Sequence, residues 1–195
     1  MLIVGLTVPS DYLQLTFINV VEHILEMSFG ASYRSRYADK AVEAITTLLE
    51  KSMFWELIDV SWVDGLLGRA VEGGTNQEVF AQLLRLRGLG VKARDEQIVV
   101  SENLIPEDKI FDAISGVIVT GSKQEGWWND GVVYGGLTAM RSMPKLGSHV
   151  PDANFLRALS DAVEAREGED NSGVRKVASD VILVARDAWR GYLNL

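Results

Sequence analysis

The chain has 195 residues, of which 47% are hydrophobic and 24% charged, and its formal net charge is -8. This composition excludes a disordered chain and is typical of one globular core, so residues 1–195 are interpreted as a single domain. The acidic balance disfavours nucleic acid and anionic membrane as partners. Because cysteine is absent, disulfides, thiol nucleophiles and thiolate metal sites are excluded.

The apolar runs of the sequence are all short. No window approaches the roughly 18 to 20 uninterrupted apolar residues that a membrane-spanning helix needs. The N-terminal run at 2–6 lacks a basic leader and stops at Pro9, so it is too short for the hydrophobic region of a signal peptide. We therefore expect a cytoplasmic protein that does not bind membranes.

The first predicted helix runs from a cap at Ser10 to Gly30, with apolar residues at the three-and-four spacing of an amphipathic helix. Its apolar residues cover most of the circumference and include Leu15 and Val20. A helix of this kind is either buried or placed where a neighbour is missing, and we expect burial.

The second predicted helix covers 38–50, with Lys40 and Glu43 among its outward residues, and it pairs with the first as an antiparallel hairpin. A short helical turn is expected at 53–58. The third helix covers 60–71 and is closed by the glycine pair that follows it.

The fourth predicted helix begins after a capping residue at 75 or 76 and stops at Gly88 and Gly90. Residues 89–106 have three interpretations, a short strand around 98–100, an irregular helix or a loop. Pro106 starts the fifth helix, because proline needs no amide partner there, and Gly121 closes it.

The sixth predicted helix, 125–143, contains several glycines, each of which costs roughly 1 kcal/mol of helix propensity. Close approach to a neighbouring helix would offset this cost, since glycine lets two backbones come together. A loop follows, and Asp152 caps the seventh helix. A polar hinge at 167–171 leads to the last helix.

The last helix, 172–195, has the clearest apolar stripe of the chain. Its charged residues fall mostly on the opposite side. The stripe predicts packing against another helix, and Trp62 and Trp189 are likewise interpreted as core residues. The residues of the stripe are Val174, Val177, Ala178, Val181, Ala185, Ala188, Trp189 and Tyr192.

Consecutive pairing of the eight predicted helices gives four hairpins of about 35 to 50 residues, the length scale of helical repeats. The segment 170–178 has an acidic turn, then Val174-Arg175, then Ala178, and in this it resembles the second-helix signature of HEAT repeats. The resemblance covers one of the four hairpins.

This resemblance implies an all-α, armadillo/HEAT-like superhelix of stacked antiparallel hairpins, whose second helices line a concave partner-binding face. It also implies a ladder between Arg175 and acidic residues such as Asp170. The other hairpins depart from the signature, which leaves an irregular α-helical bundle as the alternative. As a superhelix, the chain would be one complete array of hairpins or part of a larger array, and it could oligomerise through its terminal hairpins.

Residues that could carry chemistry do not form a known constellation. His23 and His149 are the only imidazoles, and one helical histidine beside carboxylates is not a di-metal motif, so His23 is interpreted as a solvent-edge residue. The segment 121–123 lacks the remaining residues of a phosphate-binding loop. We therefore expect no metal, no cofactor and no catalytic residue.

The adjacent indoles Trp127 and Trp128 cannot point the same way on a helix, because neighbouring positions differ by about 100°. One of them is then exposed as an interface anchor, or both pack in the core. The sequence favours a protein-binding scaffold with Arg85, Trp127, Arg141 and Arg186 as contacts on the second-helix face. The alternative is a helical-bundle enzyme or ligand-binding protein with a pocket near helix 125–143.

Overall fold

The computed structural model describes residues 15, 16, 19, 20, 23, 40, 43, 44, 46, 47, 59–73, 77–93, 107–124, 131–164 and 172–192. Within these residues the fold is all-α, without a strand, as the sequence predicts. Six helices have both ends within the described residues, and they are α1 (Val60–Glu72), α2 (Gln77–Ala93), α3 (Glu107–Gly121), α4 (Gly131–Arg141), α5 (Ala153–Glu164) and α6 (Ser172–Trp189), with a 3-10 turn at Leu146–Ser148.

Short polar residues fix the starts of two helices. Asp59 precedes α1, and its Oδ1 accepts from the Ser61 amide at 2.9 Å. Asp152 caps α5 as predicted, because its Oδ1 accepts from the Phe155 amide at 2.8 Å. Gly73 ends α1 by donating its amide to the Arg69 carbonyl at 2.9 Å.

The described residues before Asp59 are helical, in agreement with the first two predicted helices. Lys40 and His23 are exposed, as expected. Leu15 and Val20 are exposed as well, so the expectation of burial is wrong for these two side chains. The predicted turn at 53–58 and the predicted hinge at 167–171 lie outside the described residues.

The predicted stop of the fourth helix at Gly88 and Gly90 is wrong, because α2 continues to Ala93. Gly88 lies against the start of α4, where a Cβ would be 3.1 Å from the Gly131 carbonyl oxygen. This glycine is a contact point between helices. Residues 94–106, where a strand or loop was considered, lie outside the described part.

The predicted close approach at the glycine-rich helix is confirmed. A Cβ built on Gly135 of α4 would lie 1.7 Å from the Leu84 carbonyl oxygen of α2, a distance that no real Cβ adopts. The described part of this helix ends at Arg141, two residues before the predicted end, since Met143 precedes a proline and is disfavoured in the α conformation.

The helices pack in two rows. Sequential pairs contact each other as α1 with α2, α3 with α4 and α5 with α6. In addition, α2 packs on α4 and α4 on α6, while α1 packs on α3 and α3 on α5. Helix α4 lies at the centre, and every residue from Val132 to Met140 is buried.

Most of the predicted stripe of α6 is buried in this core, including Val177, Val181 and Trp189. Two members of the stripe are exposed instead, Ala188 near the end of the helix and Tyr192 in the turn after it. Trp62 is half-buried at the edge of the core. No described helix is both long and apolar enough to cross a membrane.

Candidate functional site

Of the four residues predicted to contact a partner, the three that the structure describes do not form one exposed surface. Trp127 lies outside the described residues. Arg85 is half-buried on α2, where a Cβ on Gly131 would lie 3.2 Å from its Cγ. Arg141 has only 9% of its side chain exposed, and Arg186 is exposed on α6.

Arg141 ties α4 to α6 internally. Its Nη1 donates to Asp180 Oδ2 at 2.8 Å. Because α4 is buried along its length, the second helices do not present a continuous open face across α2, α4 and α6. Of the predicted contacts, Arg186 is the one that the described structure places on an exposed helix face.

Leu183 lies next to Arg186 on the helix surface, and further large apolar side chains are exposed in the same segment of the chain. Leu183 is 65% exposed, Val184 58% and Tyr192 51%. Val184 and Ala188 are four residues apart, which places them along one side of the helix, and Tyr192 lies in the turn after it. A well-packed chain rarely leaves several large apolar side chains together at its surface, and such groups mark interaction sites.

A further large apolar side chain, Val150, is exposed in the loop before α5. It is 69% exposed. The loop is held at the end of α6, because Trp189 Nε1 donates to the His149 carbonyl oxygen at 2.8 Å. We call the surface formed by Val150, Leu183, Val184, Arg186, Ala188 and Tyr192 the α6 outer surface.

The anchor under this surface is an aromatic cluster. The His149 ring stacks on Phe111 with centroids 4.7 Å apart, and Phe155 and Trp189 meet Phe111 edge-on. His149 Nδ1 also lies 3.1 Å from Asp108 Oδ1. The loop and the end of α6 are therefore rigidly connected to α3 and α5.

Arg186 is the charged member of the α6 outer surface, in a chain of net charge -8. Both acids of α6 are used in internal or local pairs, since Asp180 binds Arg141 and Asp187 lies 3.4 Å from Arg190. Within the described residues, Arg186 has no ion-pair partner. The basic residues of α6 are Arg175, Lys176 and Arg186, and Arg190 follows in the turn after the helix.

Sequence reasoning missed a buried polar network between α1, α2 and α4. Arg87 is 2% exposed, and its Nε donates to Asp64 Oδ1 at 2.5 Å. Its Nη1 donates to Thr138 Oγ1 at 2.9 Å. The available signal was an arginine next to the buried positions Leu86 and Gly88, and the burial of this arginine with its aspartate makes the network structural.

A separate cleft of about 500 Å³ lies where α2, α3 and the start of α4 meet the helical segment that holds Lys40 and Glu43. Gln77, Gln82 and Gln124 line it. The Lys40 ammonium donates to Glu43 Oε2 at 2.7 Å and, with a smaller contribution from Arg85, holds the pKa of Glu43 below its usual value.

This cleft bears on the predicted pocket near helix 125–143. The middle of α4 is too tightly packed for a pocket, but Val132 and Val133 at its beginning line the cleft. Among the described residues, no three acidic or imidazole side chains are grouped as metal ligands. Comparison with protein-family models, curated proteins and solved structures finds no match.

Proposed function

We propose that this protein is an interaction module that binds a helix of a partner protein on its α6 outer surface. The observation that carries the proposal is the exposure of Leu183, Val184 and Tyr192 in the same segment as the exposed Arg186. Helix α5 provides a contrast, because its outward residues are mostly polar or charged, including Asn154 and Asp161. A helix that only faced water would have the composition of α5.

The charge of the surface selects the partner. An amphipathic helix docks by laying its apolar residues against an apolar stripe. Arg186 lies near the exposed apolar side chains of α6, and it favours a partner helix with an acidic residue next to its own apolar residues. Complementary charges fix the register of the two helices and speed their association. We therefore propose an acidic amphipathic helix as the occupant.

The two rows of helices support an armadillo/HEAT-like stacking of hairpins as the architecture of this module. Each described hairpin packs on the next through both of its helices. In stacked repeats, the terminal unit needs a polar outer face to remain uncovered. The outer side of α6 is only partly polar, because Leu183 and Val184 are exposed on it among the charged residues, and this is consistent with a partner that continues the stack.

A display selection of randomised helical peptides against the full chain tests this proposal. We expect the selected peptides to be amphipathic and acidic, and to lose binding to the double variant Leu183→Glu/Val184→Glu. Arg186→Glu should weaken binding mainly through slower association, with the effect decreasing at high salt.

The matched control is Ala153→Glu/Asn154→Glu, an adjacent exposed pair on α5 that should leave binding unchanged. Peptides without acidic residues, or peptides that still bind Leu183→Glu/Val184→Glu, would refute the proposal. Sedimentation of the chain alone provides a further check. Self-association that the α6 variant abolishes would identify a second copy as the occupant and rule out the partner helix.

A further inference from the structure

The contacts between the second helices of the hairpins repeat one arrangement, in which an arginine of one helix binds an acceptor on the next. Arg87 of α2 donates through Nη1 to Thr138 Oγ1 of α4 at 2.9 Å. Arg141 of α4 in turn donates through Nη1 to Asp180 Oδ2 of α6 at 2.8 Å. The two arginine side chains are 2% and 9% exposed, so these bonds are part of the helix packing.

Helix α6 carries a further arginine that continues this series at the surface. Arg186 is exposed, and no described residue forms an ion pair with it. Asp180 marks the side of α6 that meets α4, and Arg186 follows it by six residues, which is about 120° around the helix. Arg186 therefore points away from α4, towards the side on which a further helix of the stack would lie. The nearby Arg190 differs, because it lies in the turn after α6 and pairs with Asp187.

The direction of a further helix follows from how α4 and α6 run. Near their beginnings, a Cβ built on Gly173 of α6 would lie 3.3 Å from Tyr134 Cε2 of α4. The bond between Arg141 and Asp180 joins the two helices seven residues later in both of them. Because the same number of residues separates the two contacts on each helix, α4 and α6 run in the same direction.

We propose that the partner helix on the α6 outer surface runs parallel to α6 and places a carboxylate against the Arg186 guanidinium. This inference rests on the proposed function, and it adds the direction of the partner and the group that binds Arg186. Aspartate or glutamate is the expected residue, because a guanidinium binds a carboxylate through two parallel N–H donors. The partner helix would then repeat the relation of α6 to α4.

A spin label on the partner measures its direction. The probe is an acidic helical peptide from the display selection, with one nitroxide-labelled cysteine at its N-terminus or, in a second version, at its C-terminus. The full chain has no cysteine that could exchange with the label. In NMR spectra we expect the N-terminal label to broaden the backbone amides of Lys176 and Ser179. The C-terminal label should broaden those of Asp187 and Arg190 instead.

Charge exchange tests the contact with Arg186. Arg186→Glu should weaken peptide binding by about tenfold, the effect of one hydrogen bond to a charged group. Each acidic residue of the peptide is then replaced in turn by arginine, and one of these peptides should recover most of the lost affinity for Arg186→Glu. The control is Arg157→Glu, which makes the same change of charge at an exposed position of α5. The arginine peptides should bind Arg157→Glu no better than they bind the unmodified chain.

The outcomes separate this inference from the proposed function. Selected peptides that lose binding to Leu183→Glu/Val184→Glu, but broaden the two ends of α6 in the reverse order, would overturn the parallel direction alone. Failure of every arginine peptide to recover binding to Arg186→Glu would overturn the carboxylate contact alone. Peptides that bind Leu183→Glu/Val184→Glu as well as the unmodified chain would overturn the proposed function and this inference together.

Discussion

The contact between α2 and α4 makes Gly135→Ala the most direct test of the fold. The added methyl group would lie 1.7 Å from the Leu84 carbonyl oxygen and 2.6 Å from its carbonyl carbon. Both atoms belong to the backbone of a buried helix, so no side chain can rotate to make room. The two helices must separate by about 1.7 Å before the contact between this methyl group and the carbonyl oxygen becomes ordinary.

Two opposing contributions determine how much Gly135→Ala changes the free energy of unfolding. Alanine gains about 1 kcal/mol of helix propensity over glycine. Overpacking in a well-packed core costs typically about 1 to 3 kcal/mol, and more where backbone must move. Separation of α2 and α4 would also disturb the Arg87 to Thr138 hydrogen bond that joins them. We therefore expect a net destabilisation of about 3 kcal/mol or more.

Urea unfolding followed by circular dichroism measures this change. The matched control is Gly116→Ala in the middle of α3, whose Cβ would meet only Gln77 Nε2 at 3.8 Å. This variant should be more stable by about 0.5 to 1 kcal/mol, since it gains propensity without a clash. An unchanged unfolding midpoint for Gly135→Ala would refute the close packing of α2 and α4.

Two further predictions concern charged groups. Asp64→Ala leaves the buried Arg87 without its carboxylate and should cost about 3 to 5 kcal/mol of unfolding free energy. The double variant Asp64→Leu/Arg87→Met should recover most of this loss. Equal losses in the two variants would contradict the role of Asp64 as the partner of a buried charge. In NMR titrations the pKa of Glu43 should be below its usual value, and in Lys40→Ala it should return towards that value. The contribution of Glu43 to stability is therefore present above the ordinary pKa and is lost as the pH falls through the lowered pKa. A Glu43 titration that is unchanged in Lys40→Ala would show that the Lys40 ammonium does not lower this pKa.

Local signals predicted most of the helix boundaries because their causes are local. The Asp152 cap and the stop at Gly73 depend on atoms within a few residues of each position. Gly88 has the same chemistry as Gly73 but the opposite role, because its neighbour is α4, more than forty residues away in the chain. Sequence periodicity reports that a helix has a buried side and does not report which helix covers it.

The candidate site was predicted only in part for the same reason. Arg186 was identified from its position opposite the apolar stripe, whereas Arg141 proved to be paired with a residue on another helix. Tyr192 continues the stripe of α6 by spacing, yet it is exposed in the turn after the helix. Leu183 and Val184 were visible in the sequence as two large apolar residues outside that stripe.

The burial of α4 decides where a partner can bind. A concave face made of second helices would require α4 to expose one side between α2 and α6, and none of the residues from Val132 to Met140 is exposed. Helix α6 is covered on one side by α4 and α5, and its other side bears Leu183 and Val184. Apolar side chains are fully buried on α4 but remain exposed on α6. This difference favours the proposal that a partner helix packs on the outer side of α6 as the next helix of the stack.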